Sequence, residues 1–144
     1  MKKPEPVPGL VIRYDFLWSH EREKGRNEGS KDRPCVVVAA IIRSADGKTE
    51  VLLVPVTHSP PAAQTGAIPI PAAVSKHLGL DDGHSYIVTA EANAVSWDDA
   101  GIVPARPGEA WTYGRLPKSL FEAIRSAMME RLRQRTLKSA KRQG

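Results

Sequence analysis

The sequence predicts one domain of the mainly β or α+β class, with a short internal helix and an amphipathic helix near its C-terminal end. Short apolar segments, some alternating and some continuous, are separated by turn residues, which is typical of strands. Near the end of the chain, apolar residues instead recur every three or four positions, as in a helix that packs one face. The length of 144 residues suits a single domain.

The first half of the chain predicts an arm followed by three strands. Residues 1–8 contain three prolines and are expected to form an extended, poorly ordered arm. Alternation over 9–16 indicates a half-buried strand, whereas the run PCVVVAAII over 34–42 indicates a strand buried on both faces. An Asp-Gly turn connects this run to EVLLVPVT over 50–57, so the two form a hairpin. The polar residues 19–33 form a long loop, which is functional or disordered.

The second half predicts shorter elements. Residues 67–70 are a short strand, and residues 71–79 a short helix that opens with proline and ends with glycine. Residues 85–95 supply one or two strands, and residues 98–115 are rich in turns. The terminal helix opens at Pro117 and is marked by apolar residues at helical spacing, namely Leu116, Leu120, Ile124, Ala127, Met128 and Leu132.

The composition favours a cytoplasmic protein. Cys35 is the only cysteine, so no disulfide forms within the chain, and its apolar neighbours favour a buried core position over a reactive thiol. No apolar stretch reaches the roughly 20 residues that a membrane-spanning helix needs. The basic residues at the start are not followed by the apolar core of a signal peptide.

The net charge of +5 is concentrated at the end of the chain. Residues 9–130 are predicted to form the domain, and residues 131–144 a basic helix end or tail with no acidic residue. Such a tail binds nucleic acid through phosphate contacts, or only favours solubility and the C-terminal end of the helix dipole. Its basic residues are Arg131, Arg133, Arg135, Lys138, Lys141 and Arg142.

Several short motifs follow one another in a set order over residues 9–57. They are Gly9, Asp15, the pair His20-Glu21, Arg33-Pro34 at the start of an apolar strand, and Pro55-Val56-Thr57 at the end of the next strand. This order resembles that of the PemK/MazF toxin family. Residues 78–80 (Leu-Gly-Leu), the strand after them and the terminal helix fit the family more loosely.

The resemblance implies a fold, an activity and partners. The fold would be a small SH3-like β-barrel, usually a homodimer. The activity would be that of a growth-inhibiting toxin, a metal-free endoribonuclease that cleaves single-stranded RNA and is neutralised by a cognate antitoxin protein. Neither a metal ion nor an organic cofactor is expected.

The chain departs from the family pattern at three places. The charged loop before Arg33 is longer than usual, and Leu10 stands where an acidic residue is frequent. Some members carry an arginine and, two positions later, an aspartate in a later strand. Here these positions hold Thr89 and Glu91, so the acidic group is kept and the arginine is not.

The expected chemistry assigns roles to particular side chains. Cleavage by the 2′-hydroxyl of RNA needs a base, a cation that holds the phosphate, and an acid for the leaving oxygen. The cation is Arg33, whose guanidinium fork matches phosphate oxygens, although a surface salt bridge to Asp32 or Glu28 is an alternative role. Thr57 can donate to a phosphate oxygen or serve only as a β-branched strand residue.

The acid and base candidates are His20, by its position in the family, and Glu91, which is otherwise an exposed strand residue. His58, beside Thr57, is assigned to RNA binding and can also exchange a proton. The loop adds the RNA-binding candidates Arg22, Lys24, Arg26 and Lys31, among acidic residues that fit a lid or a segment ordered by a partner. His77 and His84 have no partners at metal-ligand spacing. Trp18, Trp97 and Trp111 either stack on bases or belong to the core.

Two alternatives to the ribonuclease remain open at this point. One is a non-catalytic SH3-like module that binds RNA or a protein, with the basic tail contributing to affinity. The other is an inactive relative that binds an antitoxin.

Overall fold

Within the residues that the structure describes, the chain forms a mainly β structure with two helices, which confirms the predicted α+β class. The computed structural model describes residues 2–19, 31–43, 45–58, 66–80, 84–134 and 137–141. The described strands are β1 (Leu10–Tyr14), β2 (Arg33–Ile42), β3 (Thr49–Thr57), β4 (Ala67–Pro69), β5 (Tyr86–Val88), β6 (Glu91–Ser96), β7 (Ile102–Val103), β8 (Gly114–Arg115) and β9 (Lys138–Lys141). The helices are α1 (Ala72–Leu78) and α2 (Lys118–Gln134).

All of these strands belong to one hydrogen-bonded sheet. Its main path runs β4-β5-β3-β2-β1-β7, and the strands along this path pair antiparallel. β6 pairs with the first half of β3, β8 pairs with the start of β1, and β9 pairs parallel to β6. Among the described strands, β4 and β7 at the two ends of the path are not paired with each other.

The sheet buries apolar side chains on both faces. Ile12, Cys35 and Leu53 belong to one core cluster, which also contains Phe16, Trp18 and Trp97. Val36 and Val54, their neighbours along the strands, point the other way into a second cluster with residues of both helices. Because successive side chains of a strand alternate between faces, a strand covered on both sides has no polar alternation. This confirms the predicted burial on both faces for Cys35, Val36 and Val37. The prediction is wrong for the end of the run PCVVVAAII, where Ile41 is 64% and Ile42 73% exposed.

The pairing register of the β2–β3 hairpin places the start of β2 beside the end of β3. In its register Cys35 lies opposite Pro55 and Val36 opposite Val54, and the register shifts between Val37 and Ala39. Extending the unshifted register by two residues places Arg33, the first residue of β2, beside Thr57, the last residue of β3. The two residues that the sequence analysis singled out at strand edges therefore lie at the same end of the hairpin.

Helix α1 ends at a glycine whose backbone conformation favours that residue. Gly79 has a φ of 68°, in the left-handed region that favours glycine, and its N–H bonds to the carbonyl oxygen of Lys76. A Cβ at this position would also lie 2.1 Å from the Arg106 Nη2 atom. The predicted helix over 71–79 is confirmed, one residue shorter at each end.

Helix α2 packs one face on the second core cluster. Ile124 and Met128 are buried there, as the apolar spacing predicts. Leu132 is 53% exposed, so the buried stripe ends one turn earlier than the sequence pattern indicates. Neither of the described helices has the length and apolar character needed to cross a bilayer.

The two ends of the chain contact the body of the domain. In the extended N-terminal arm, the Trp97 Nε1–H donates to the Pro4 carbonyl oxygen at 3.1 Å, and the Lys3 ammonium lies 4.5 Å from the Trp97 ring centroid. At the other end, Lys138 lies opposite Glu91 in the β9–β6 ladder. The sequence analysis predicted no strand in the basic tail, nor in the turn-rich residues that contain β7 and β8.

Candidate functional site

A pocket of about 330 Å³ lies where the start of β2 meets the end of β3. Five parts of the chain form it: β1, the start of β2 with the residues before it, the end of β3, the chain after α1, and the chain before β8. Twelve residues line it: Arg13, Lys31, Asp32, Arg33, Pro34, Val56, Thr57, His58, Gly79, Leu80, Ser85 and Tyr113. The structure thus brings together four of the predicted site residues, Lys31, Arg33, Thr57 and His58.

Arg33 is held by an aromatic ring. Its guanidinium carbon lies 5.2 Å from the centroid of the Trp18 ring, within the range of a cation–π contact. Trp18 is itself buried and packs edge-on against Phe16, so it provides a rigid support. The Arg33 Nε atom is buried and has no hydrogen-bond partner among the described residues. A buried donor without a partner costs about 1–3 kcal/mol, so a group that enters the pocket and accepts from this Nε–H would gain that free energy.

The salt bridge considered for Arg33 is formed by another arginine. Asp32 lies 3.6 Å from the Nε atom of Arg13, and no ion pair of Arg33 is found within the described ranges. Arg13 lies in β1 directly opposite Pro34, which brings its side chain to the pocket. Glu28, the other partner considered, lies outside the described residues. Among the described residues, the Arg33 guanidinium lines the pocket without an ion-pair partner.

His58 follows Thr57 at the rim of the pocket. Its Nδ1 atom lies 3.0 Å from the carbonyl oxygen of His84 and 3.5 Å from the Ser85 hydroxyl oxygen. Because a carbonyl oxygen can only accept, this contact favours the ring form in which Nδ1 carries the proton. In the neutral ring, Nε2 is then the acceptor. The exposed imidazole can therefore take up a proton at Nε2 from a bound group.

The pocket carries an excess of positive charge. Among the described lining residues, Arg13, Lys31 and Arg33 face one carboxylate, that of Asp32, so this part of the lining has an excess of two positive charges when His58 is neutral. Positive charge collected in a concave surface raises the local concentration of anions. This lining suits a phosphate group better than a neutral or cationic ligand.

Part of the lining is apolar and includes an aromatic ring. Tyr113 and Leu80 line the pocket and pack against the second core cluster. The Arg106 guanidinium carbon lies 5.4 Å from the Tyr113 ring centroid. The sequence analysis did not single out Arg13, Tyr113 or Arg106. Of these three residues, only Arg13 stands out in the sequence, because it is a charged residue inside the apolar strand LVIRY.

Glu91 and Thr89 do not line this pocket. The Glu91 Oε1 atom accepts a hydrogen bond from the Ser19 backbone N–H at 2.6 Å. Thr89 is fully buried and donates through its hydroxyl to the Gly66 carbonyl oxygen at 2.8 Å. Both residues therefore make contacts that support the backbone. An arginine from α2 lies near position 89, where the family pattern has an arginine. The side chains of Arg131 and Thr89 are close to each other, since a Cβ added at Gly66 would contact both of them.

The remaining predicted residues are placed as follows. His20, Arg22, Lys24 and Arg26 lie outside the described residues, so their assignments stay predictions. Trp18 and Trp97 are core residues, and Trp111 is half-buried. Cys35 is fully buried, and burial raises the pKa of its thiol far above the ordinary value, which confirms its role as a core residue. In the described part of the chain, no group of three or more His, Cys, Asp or Glu residues is arranged to hold a metal ion.

Comparisons of the chain with protein-family models, with curated proteins and with solved structures give no match. The assignment of a function therefore rests on the pocket and on the sequence motifs that lie in it.

Proposed function

We propose that this chain is a metal-free endoribonuclease, the toxin component of a toxin–antitoxin system, that cleaves single-stranded RNA in the Arg33 pocket. One observation carries the proposal. Arg33, Thr57 and His58, from two strand ends 24 positions apart in the sequence, line the same cationic pocket. From the sequence, Arg33 and Thr57 were predicted to take part in cleavage, and His58 and Lys31 were predicted to bind RNA.

The proposed reaction is transfer of the phosphoryl group to the neighbouring 2′-hydroxyl. His58 takes the proton of this hydroxyl at Nε2, and the 2′ oxygen forms a bond to phosphorus. The bond from phosphorus to the 5′ oxygen breaks, which leaves a 2′,3′-cyclic phosphate on one fragment. The 5′ oxygen takes a proton and becomes a hydroxyl on the other fragment. The assignment of His20 as the acid that supplies this proton stays a prediction.

The cations and Thr57 stabilise the charge that develops on the phosphate. Arg33 supplies a planar fork that can bind two phosphate oxygens, and its contact with Trp18 limits its motion. Arg13 and Lys31 add positive charge at the same pocket, and Thr57 can donate through its hydroxyl. Groups that are positioned before the reaction stabilise the transition state without reorganisation. The proposal makes no catalytic use of Glu91.

The wider features of the family belong to the same proposal. An SH3-like barrel is part of the proposal and follows from the resemblance; its support in the fold is the mainly antiparallel order of short strands. A cytoplasmic location, a homodimer and a cognate antitoxin follow from the resemblance. An antitoxin segment with acidic residues would suit the cationic lining of the pocket.

The placement of Glu91 favours a second candidate, a non-catalytic SH3-like module that binds RNA or a protein. The carboxylate that the family pattern offers as a base contacts the Ser19 backbone and does not line the pocket. Such a module would bind RNA in a salt-sensitive manner and release no product.

The two candidates are separated by a cleavage assay on a long single-stranded RNA in excess chelator. We expect discrete fragments from the unaltered protein and a rate about 100- to 1,000-fold lower for Arg33→Ala, as for the loss of one transition-state donor. Arg125→Ala is the matched control, because Arg125 is an exposed arginine on α2 outside the pocket. Cleavage by Arg33→Ala at the unaltered rate would reject this site. Intact RNA with the folded, unaltered protein would favour the binding module.

A further inference from the structure

The pocket is lined by two kinds of side chain, and the proposed chemistry uses one of them. Arg33 with the other cations, Thr57 and His58 are charged or polar. Tyr113, Leu80 and Val56 are aromatic or aliphatic. A phosphate group alone does not account for the apolar part of the lining, since its oxygens need hydrogen-bond donors. A nucleotide has both an anionic group and a flat apolar base.

The ring of Tyr113 is fixed by its backbone and by its packing. The Tyr113 N–H donates to the Val11 carbonyl oxygen at 2.9 Å, which joins this segment to β1. The side chain is half-buried and packs against the second core cluster, as does Leu80. The ring can therefore act as a preformed surface, and a ligand that stacks on it does not have to order it first.

Arg106 connects this ring to the end of α1. Its guanidinium carbon lies 5.4 Å from the Tyr113 ring centroid, and its Nη2 atom donates to the Leu78 carbonyl oxygen at 3.0 Å. The Nη2 atom also lies 3.4 Å from the Gly79 carbonyl oxygen. These contacts hold the Tyr113 ring in a fixed position relative to Gly79 and Leu80.

The size of the pocket limits what it can hold. At about 330 Å³ it lies at the small end of the roughly 300–1,000 Å³ range of ligand sites. This space suits one nucleotide, and it does not suit a base that remains stacked and paired inside a duplex. Recognition of single-stranded RNA commonly uses unstacked bases that stack on aromatic side chains.

We propose that Tyr113, backed by Arg106, is the stacking platform for the base of one nucleotide next to the phosphate that Arg33 binds. This inference rests on the proposed function, because it takes RNA as the substrate of the pocket. It makes Tyr113 a specificity-determining residue. A base can stack on Tyr113 only if it is unpaired, which accounts for the single-stranded substrate in the proposed function.

The test measures whether the Tyr113 ring and one base are coupled in binding. A labelled single-stranded 2′-deoxy oligonucleotide on the order of six nucleotides long cannot be cleaved by this chemistry and is used as the probe. A series of probes lacks the base at one position each. Each probe is titrated, by fluorescence anisotropy, into the unaltered protein, Tyr113→Phe and Tyr113→Leu. Phe keeps the aromatic face, and Leu keeps apolar bulk without it, so both variants preserve packing.

We expect removal of one base to weaken binding to the unaltered protein and to Tyr113→Phe about tenfold. Tyr113→Leu should bind the complete probe about tenfold more weakly and be insensitive to loss of that same base. Equal sensitivity of Tyr113→Leu and the unaltered protein at every position, or no binding of any probe, would overturn the inference. Coupling in binding together with intact RNA in the cleavage assay would instead reject the nuclease and leave the stacking platform standing.

Discussion

Arg33 depends on Trp18 for its orientation. Its guanidinium carbon lies 5.2 Å from the Trp18 ring centroid, and within the described structure its Nε atom finds no hydrogen-bond acceptor. The sequence allows two roles for Trp18, stacking on a base or packing in the core. In the structure Trp18 is a core residue that also contacts the Arg33 guanidinium. Its functional contribution is therefore indirect and can be separated from its contribution to packing.

We predict that Trp18→Leu lowers the cleavage rate about tenfold relative to Trp18→Phe, because only Phe keeps an aromatic face for the cation. Both substitutions remove buried volume, so both should lower the melting temperature. The measurement is kcat for RNA cleavage at saturating substrate, with thermal unfolding of each variant in parallel. Equal kcat values for the Leu and Phe variants would show that the Arg33–Trp18 contact does not position the guanidinium.

The turn of the β2–β3 hairpin is stabilised by one carboxylate. The Asp46 Oδ1 atom accepts from the Lys48 N–H at 2.9 Å, and its Oδ2 atom accepts from Arg43 at 2.8 Å. The hydrogen bond from the Lys48 backbone, with the charges of Arg43 and Lys48, holds the pKa of Asp46 below its usual value. A carboxyl group whose pKa falls on folding stabilises the folded state above its unfolded pKa. That stabilisation is lost as the pH falls through the folded pKa.

We predict that Asp46→Asn gives a small decrease in melting temperature at about pH 7 and a smaller decrease at about pH 2, because the stabilisation by the carboxylate is lost as the pH falls through its folded pKa. Thermal unfolding followed by circular dichroism at both pH values provides the measurement. Glu109→Gln is the control, since the described hydrogen bonds and ion pairs do not involve its carboxylate. A decrease of the same size at both pH values would contradict a role for the charge of Asp46.

Elements with a repeating pattern could be predicted from the sequence, and elements defined by tertiary pairing could not. β1, β2 and β3 follow from alternating or continuous apolar residues, and α2 follows from helical spacing. β7 and β8 have two residues each, which is too short to show a period. β9 carries the sequence KSAK and is a strand because it pairs with β6, so no local signal distinguishes it from a solvated tail.

The basic tail is partly integrated in the fold, which affects how its function can be tested. Arg131 approaches Gly66, Arg133 forms an ion pair with Glu130, and Lys138 lies opposite Glu91 in the β6–β9 ladder. Removing residues 131–144 would therefore remove a strand and the end of α2 along with the positive charge. Single charge-neutralising substitutions separate an electrostatic effect on RNA binding from loss of structure.

The residues that line the pocket are spread along the chain from Arg13 to Tyr113. Because tertiary pairing brings these distant residues together, only some of them could be predicted from the sequence. Arg33 and Thr57 could be found because each stands at the edge of a strongly predicted strand. Arg13, Tyr113 and Arg106 come from other segments, and their convergence depends on pairing between β1, β2 and β8. Glu91 was assigned by alignment of a motif. The contact of its carboxylate with Ser19 depends on packing that the motif does not specify.

The measurement that tests the central claim most directly is cleavage of two oligonucleotides that differ by a single 2′-hydroxyl at a mapped cleavage position, in excess chelator. The account predicts that the ribonucleotide substrate is cut to a 2′,3′-cyclic phosphate and a 5′-hydroxyl, and that the deoxy substrate stays intact. Arg33→Ala should leave both substrates uncut over the same interval. Cleavage of the deoxy substrate, or fragments that carry a 5′-phosphate, would contradict attack by the 2′-hydroxyl in the Arg33 pocket.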